Sequence, residues 1–297
     1  MSLPNNQEKC GTIAIVGRPN VGKSTLLNHL LGQKISITCK KPQTTRHQIL
    51  GIKTEGEAQY IFVDTPGMHQ NQGAVLNKHL NRAAFSALHD VDAVLWLIEP
   101  KWTLEEDWIF ERLKTVEQPI VLAINKIDEL ANKSDILPLM ERLETMRRFV
   151  HIIPISARKG LNLPELLESL KQYLPEQPFL YAEDEITNKP VRFLVSEIIR
   201  EKLMRFLGEE LPYAVSVEVE LFKETQKLTE ISAVIYVERA SQKGIVIGDK
   251  GSKLKEIGTE ARRDIEKLLD TKVMLRLWVK IKENWRDDEQ ALNNLGY

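Results

Sequence analysis

The sequence predicts an α/β chain of two parts: a mostly parallel sheet covered on both faces by helices, then a smaller α+β domain. Three observations carry this. Up to about Leu174, short apolar runs alternate with helical patterns. Pro175-Glu176-Gln177-Pro178 and the acidic Glu183-Asp184-Glu185 then interrupt the pattern as a linker. Beyond it the order changes to helix, two strands, a Gly-x-x-Gly turn between helical segments, and a last strand.

In the first part, strands are expected at 12–16, 49–54, 59–63, 93–98, 120–124 and 152–155, and helices at 23–31, 76–88, 104–116, 136–147 and 163–173. Sheets of this kind bind ligands at the carboxyl ends of their strands. The polar motifs of this chain follow strands, as that rule requires.

After the first strand come Gly17, Arg18, Pro19, Asn20, Val21, Gly22, Lys23 and Ser24. Strand, glycine-rich loop and helix form a phosphate-binding P-loop, whose backbone N–H groups and helix N-terminus hold phosphate oxygens. Lys23 is placed to reach the β- and γ-phosphates and Ser24 to ligate Mg²⁺, with Thr25 completing the cradle. After the third strand, Asp64-Thr65-Pro66-Gly67 supplies a carboxylate for Mg²⁺ and a bare backbone N–H at Gly67 for a γ-phosphate. The next residue is Met68, which cannot orient an attacking water as a glutamine would.

After the fifth strand comes Asn125-Lys126-Ile127-Asp128. A carboxylate accepts from both N1–H and the 2-amino group of guanine, and adenine offers neither donor on that edge. Asp128 is the candidate base reader, Lys126 would pack its stem along the nucleotide, and Asn125 would brace the loop. Ser156, Ala157 and Arg158 follow the sixth strand, where a backbone N–H can donate to the guanine carbonyl. The polar segment 36–47 lies between the first helix and second strand. Its Thr45, with Thr44 as alternate, can meet Mg²⁺ and the γ-phosphate in the triphosphate state. Lys23, Thr45 and Gly67 are the candidate catalytic groups.

Bulk properties narrow the rest. The 297 residues suffice for two cores, and a net charge of −1 confines any nucleic-acid site to a local patch. Cys10 and Cys39 read as free thiols of a reducing cytosol, and the six histidines show no metal-ligand spacing. No signal peptide and no bilayer-spanning apolar run is visible. Trp96, Trp102 and Trp108 read as packing residues, and Trp278 as core rather than as a stacking platform for bases. Trp285, Leu292 and Leu295 suggest a short docked C-terminal helix.

In the second part, a helix is expected at 191–207, strands at 215–222 and 231–237, a short apolar segment at 244–247, a helix at 252–269 and a strand at 273–281. Gly248-Asp249-Lys250-Gly251 matches the KH-domain loop that clamps an RNA backbone. Arg239, Lys243, Lys250, Lys253 and Lys255 surround it against Asp249 alone. The candidate RNA contacts are Lys243, Gly248, Asp249, Lys250, Gly251, Lys253 and Lys255.

Together, Gly-Arg-Pro-Asn-Val-Gly-Lys-Ser, Gln-Thr-Thr-Arg-His, Asp-Thr-Pro-Gly, Asn-Lys-Ile-Asp and Ser-Ala-Arg closely resemble the Era family of bacterial ribosome-assembly GTPases. Residues 196–203, Glu209-Glu210-Leu211-Pro212-Tyr213 and 246–251 extend the resemblance into the second part. It implies a P-loop GTPase domain at 1–176, a linker at 177–190 and a type II KH domain at 191–297. It also implies a GTP/GDP switch with Mg²⁺ that binds the 3′ end of 16S ribosomal RNA and assists small-subunit assembly. Related GTPases with asparagine at the Asn20 position bind K⁺ there, which makes K⁺ an expected second cation. A cytoplasmic monomer is expected, with peripheral contact to the inner membrane as a family trait. The alternative is a GTPase signalling switch whose second domain docks on protein or membrane.

Overall fold

The computed structural model describes residues 8–39, 41, 44–68, 75–146, 148–208, 211–225, 227–288, 290 and 292. Lys40, Pro42 and Gln43 of the 36–47 segment, residues 69–74, Glu209, Glu210 and Leu295 lie outside them. The chain forms two compact units, and passes into the second after Asn188.

The first unit runs β1 (Lys9–Val16), α1 (Lys23–Leu31), β2 (Ile49–Glu55), β3 (Ala58–Asp64), α2 (Val75–Ser86), β4 (Ala93–Ile98), α3 (Leu104–Leu113), β5 (Ile120–Ile124), α4 (Leu137–Thr145), β6 (His151–Pro154) and α5 (Leu163–Lys171). The sheet order is β2-β3-β1-β4-β5-β6. Every pairing is parallel except the antiparallel β2–β3 hairpin. All residues of β3, β4 and β5 are buried, as expected of apolar runs covered on both faces. Strand β1 starts at Lys9, earlier than expected, because Lys9, Cys10 and Gly11 pair with Ala58, Gln59 and Tyr60. Helix α3 starts where Thr103 and Glu106 form a capping box and stops at Leu113, short of the expected end. Trp96 is fully buried on β4, with Trp102 edge-on to it at 5.6 Å, so these rings do serve packing.

The linker is strapped to this sheet. Cys10 N–H donates to the Pro175 carbonyl at 3.1 Å, and Gln177 N–H to Glu8 at 3.0 Å. The fully buried Gln59 accepts from Leu180 N at 2.9 Å and Tyr181 N at 3.0 Å, and donates to the Tyr181 carbonyl at 2.9 Å. Ile52 N–H donates to Ile186 at 2.9 Å, covering the β2 edge.

The second unit runs α6 (Val191–Phe206), β7 (Ser216–Glu224), β8 (Thr229–Val237), α7 (Ala240–Ile247), α8 (Ser252–Leu269) and β9 (Val273–Ile281). Its sheet is β7-β8-β9, antiparallel then parallel. Ile231, Ala233, Ile235 and Val237 on β8 and Val273 and Val279 on β9 share one core with Val195, Ile199 and Leu203 of α6 and Ile257, Ala261 and Ile265 of α8. The apolar segment 244–247 is the end of helix α7, whose first turn is fixed by the Gln242 side chain accepting from Arg239 N–H. Segment Ile37–Thr44 belongs to this unit: Lys41 Nζ donates to the Leu207 carbonyl, and Arg200, paired with Glu197, donates to that of Thr44.

Two aromatic expectations divide here. Trp285 is fully buried, with Nε1 donating to the Ala214 carbonyl, and Leu292 is buried too. Trp278, expected in the core, is instead 58 % exposed. On β9 the alternate residues Leu275, Leu277 and Val279 pack against the core, so the pleat turns Trp278 to the other face.

Candidate functional site: a phosphate loop, a base loop and a nucleic-acid groove

The P-loop links β1 to α1. Lys23 is buried, and its Nζ donates to the Gly17 and Arg18 carbonyls, both at 3.0 Å. Burial pulls its pKa down to about 8, against the raising effect of Asp64. Arg18 turns its guanidinium away from the loop, to Glu99 at 2.6 Å and Glu106 at 2.8 Å. Asn20 is exposed with φ 63°, and Val21 is fully buried. Met68 N–H donates to the Gly17 carbonyl at 3.1 Å, which sets the Asp64–Met68 segment against the P-loop.

Ser24, Thr45 and Asp64 converge. Ser24 Oγ lies 2.9 Å from Thr45 Oγ1 and donates to Asp64 Oδ2 at 3.0 Å. Ser36 Oγ also donates to Asp64 Oδ2, at 2.8 Å. Asp64 Oδ1 is buried with no hydrogen-bond partner among the described residues, and burial raises the carboxyl pKa. A hard divalent cation suits this donor set: two hydroxyls and an orphaned carboxylate oxygen are the ligands Mg²⁺ takes. The Thr44 hydroxyl donates to the Lys41 carbonyl at 2.6 Å.

The base loop is braced from two sides. Asn125 Nδ2 donates to the Val21 carbonyl, and its Oδ1 accepts from Ala157 N–H, both at 2.8 Å. One buried amide therefore ties the P-loop, the 125–128 loop and the 156–158 loop together. Ser156 Oγ donates to Asp128 Oδ1 at 2.6 Å and orients the carboxylate. Lys126 has φ 67° and pairs with Glu99. The Arg158 side chain is exposed.

Sequence reasoning missed Ser36, Glu99 and Glu106. Asn28 holds Ser36 in place, its Oδ1 accepting from Ile35 and Ser36 N–H and its Nδ2 donating to the Ser36 carbonyl at 2.7 Å. Glu99 follows β4 directly, so its position after a strand was the available signal. Among the described residues no cluster of three or more His, Cys, Asp or Glu could hold a metal, and no helix is long and apolar enough to cross a membrane.

In the second unit, Gly248 (φ 74°), Lys250 (φ 47°) and Gly251 (φ 80°) form a tight turn into the N-terminus of α8. Beside it lies a groove of about 560 Å³, lined by Gly251, Leu254, Lys255, Gly258, Thr259 and Arg262 with Leu275 and Leu277 of β9. Of the expected RNA contacts it gathers Gly251 and Lys255. Lys243, Gly248, Asp249, Lys250 and Lys253 are not among the lining residues, whereas Arg262 and Thr259, which the sequence did not single out, are. Its lining combines the apolar Leu254, Leu275 and Leu277 with the cations Lys255 and Arg262, a set suited to a base and its phosphate.

Residues 12–126 match the family described as 50S ribosome-binding GTPase, and residues 210–286 match the KH domain. GTPase Era of Pseudomonas savastanoi pv. phaseolicola is 53 % identical over 290 residues, 97 % of either chain. GTPase Era of Marinobacter nauticus is 53 % identical over 298 residues, 100 % of this chain and 98 % of that one. A crystal structure of Era with MgGDPNP and nucleotides 1506–1542 of 16S ribosomal RNA superposes with a TM-score of 0.94 at 40 % identity, covering 98 % of this chain and 99 % of that one. Aquifex aeolicus Era bound to GDP·AlF4⁻ has the same score and identity, covering 97 % and 99 %. A GTPase unit carrying these loops, joined to a KH unit and matched over nearly the full length of such relatives, places this chain in the Era family of GTPases.

Proposed function

We propose that the protein is a GTP-hydrolysing switch that binds the 3′ end of small-subunit ribosomal RNA through its KH domain and assists assembly of that subunit. The observation that carries this is the groove beside Gly248–Gly251 with its cations Lys255 and Arg262, in a chain so similar to an Era held with nucleotides 1506–1542 of 16S RNA. Its domains would run 1–176 and 191–297, joined by 177–190. It would act in the cytoplasm as a monomer, with any contact to the inner membrane peripheral.

Ser24, Thr45 and Asp64 would hold Mg²⁺, and the orphaned Asp64 Oδ1 supports that assignment. Bound there, the ion would neutralise charge on the phosphates. Lys23 would meet the β- and γ-phosphates, and Gly67 N–H the γ-phosphate. Asp128, held by Ser156, would read guanine. Met68 is fully buried, so water is left to backbone groups, Thr45 or an element supplied elsewhere. Asn20, exposed at the loop, would take K⁺, whose charge offsets that developing in the transition state. Faster hydrolysis in K⁺ than in Na⁺ is expected, and equal rates would remove the K⁺ site.

The test of the RNA reading is the double variant Lys250→Asp, Gly251→Asp. It should lose affinity for 16S 3′-terminal RNA while binding GDP as before. Unchanged RNA affinity would make this loop structural.

A further inference from the structure

The three-stranded sheet has one face on the core; on its other face Val234 of the central strand is buried, and Trp278 on the edge strand is exposed. Across the sheet, Trp278 stands in register with Val234, and Val234 with Glu218. Along β9 its neighbours on the same face are Arg276 and Lys280. A protein-docking patch needs contiguous apolar area, and an exposed indole between two cations is a poor example of one.

The charges on this face favour an anion. Tyr236 Oη donates to Glu218 at 3.0 Å, and Glu220 pairs with Lys280 at 2.8 Å, so two carboxylates are engaged. Lys282 lies 5.6 Å from the Tyr236 ring, and among the described residues neither it nor Arg276 nor Lys223 has a carboxylate partner. Glu230, half-buried and in register with Lys223 and Met274, is the remaining acid of the face.

β9 is the sheet's edge strand, and it connects this face to the groove. Leu275 and Leu277 line the groove, while Arg276 and Trp278, the alternate residues, face the other way. A chain leaving the groove over the β9 edge crosses one strand width to reach the indole. A KH loop clamps about four nucleotides, so flanking nucleotides of a longer RNA are free to continue.

We propose that this face is a second contact for single-stranded RNA, with Trp278 stacking on a base that lies beyond the groove and Arg276 meeting its phosphate. The proposal rests on the RNA-binding reading of the KH domain and extends it. A single tryptophan serves here because every base has a π-face, so the contact adds affinity without adding sequence preference.

The experiment compares two labelled RNAs on the full-length protein: the last twelve nucleotides of 16S RNA and a four-nucleotide piece of it. Trp278→Ala should weaken the twelve-mer about tenfold and leave the four-mer unchanged, the expected loss for one stacked base. Trp278→Phe should retain most of the affinity, and the twelve-mer should quench indole emission more in wild type than in Trp278→Phe. Wild-type affinity of Trp278→Ala for the twelve-mer would overturn the proposal and leave the face to a protein partner. Equal losses on both lengths, repeated in Trp278→Phe, would also overturn it, as a folding role. If the Lys250→Asp, Gly251→Asp variant binds both RNAs as wild type does, the underlying RNA reading fails first, independently of Trp278.

Discussion

The side-chain amide of Asn125 occupies the place where a β-carbon on Gly22 would stand. Gly22 has φ 107°, and the neighbouring Val21 carbonyl accepts the Asn125 Nδ2 hydrogen bond. The P-loop and the base loop therefore fit together only with glycine at this position. Gly22→Ala is expected to strain or part the two loops at a cost of about 1–3 kcal/mol, weakening GDP and GTP roughly ten- to a hundredfold. Calorimetric titration with GDP checks this, and wild-type affinity would show that the loops can separate freely.

Base selectivity should rest on Asp128 and on the hydroxyl that holds it. Asp128→Asn is expected to weaken GTP and favour xanthine nucleotide, since the amide supplies a donor where xanthine presents a carbonyl. Ser156→Ala removes a hydrogen bond to a charged group and should cost about 1.5–3 kcal/mol of guanine-nucleotide affinity. Wild-type protein that bound ATP within about tenfold of GTP would contradict the guanine site, because an unpaired buried carboxylate discriminates far more strongly.

Lys23 predicts a pH dependence. Its folded pKa, about 8, lies below the ordinary 10.5. The folded chain binds fewer protons than the unfolded one between those values, so this lysine's cost to stability is fully present below pH 8 and is relieved as pH rises toward 10.5. Phosphate favours the charged amine, so nucleotide affinity should fall as pH rises above about 8, and binding there should take up a proton. Titrations in buffers of different ionisation enthalpy measure the uptake. Lys23→Met should abolish the pH-dependent part, and an unchanged proton count in that variant would assign it elsewhere.

Met68 separates packing from chemistry. It lies in the core with Val16, Trp96 and Ile98. Met68→Leu conserves volume and should keep both stability and hydrolysis close to wild type. Met68→Ala should lose about 2–5 kcal/mol of stability to a cavity, with single-turnover hydrolysis largely kept at temperatures where it is folded. A hydrolysis defect in the stable Leu variant would show that the thioether has a part in the reaction.

The order of elements was legible because it depends on period and on glycine, proline and polar punctuation, which are local. β4 and β5 match their expected limits, as do α1, α8 and β9. Features decided by distant partners were not. Ser36 reaches Asp64 across 28 residues, and Glu99 joins Arg18 and Lys126 from different loops. Trp278 is a different case. Val273, Leu275, Leu277 and Val279 alternate with Met274, Arg276, Trp278 and Lys280, so the period of two already put the indole on the charged face. As a residue type tryptophan belongs in a core, but the pleat of β9 exposes it.

The strap over the first sheet bears on how this protein should be cut. A fragment ended at the prolines 175 and 178 would look sensible, since the helical pattern stops there. It would strip the buried Gln59 of its bonds to Leu180 and Tyr181, leaving it only Cys10 and Thr54, and would open the flank of Ile52 to other chains. Such a fragment should express as aggregate, whereas one carried through Asn188 keeps its fastening and should purify as a soluble enzyme.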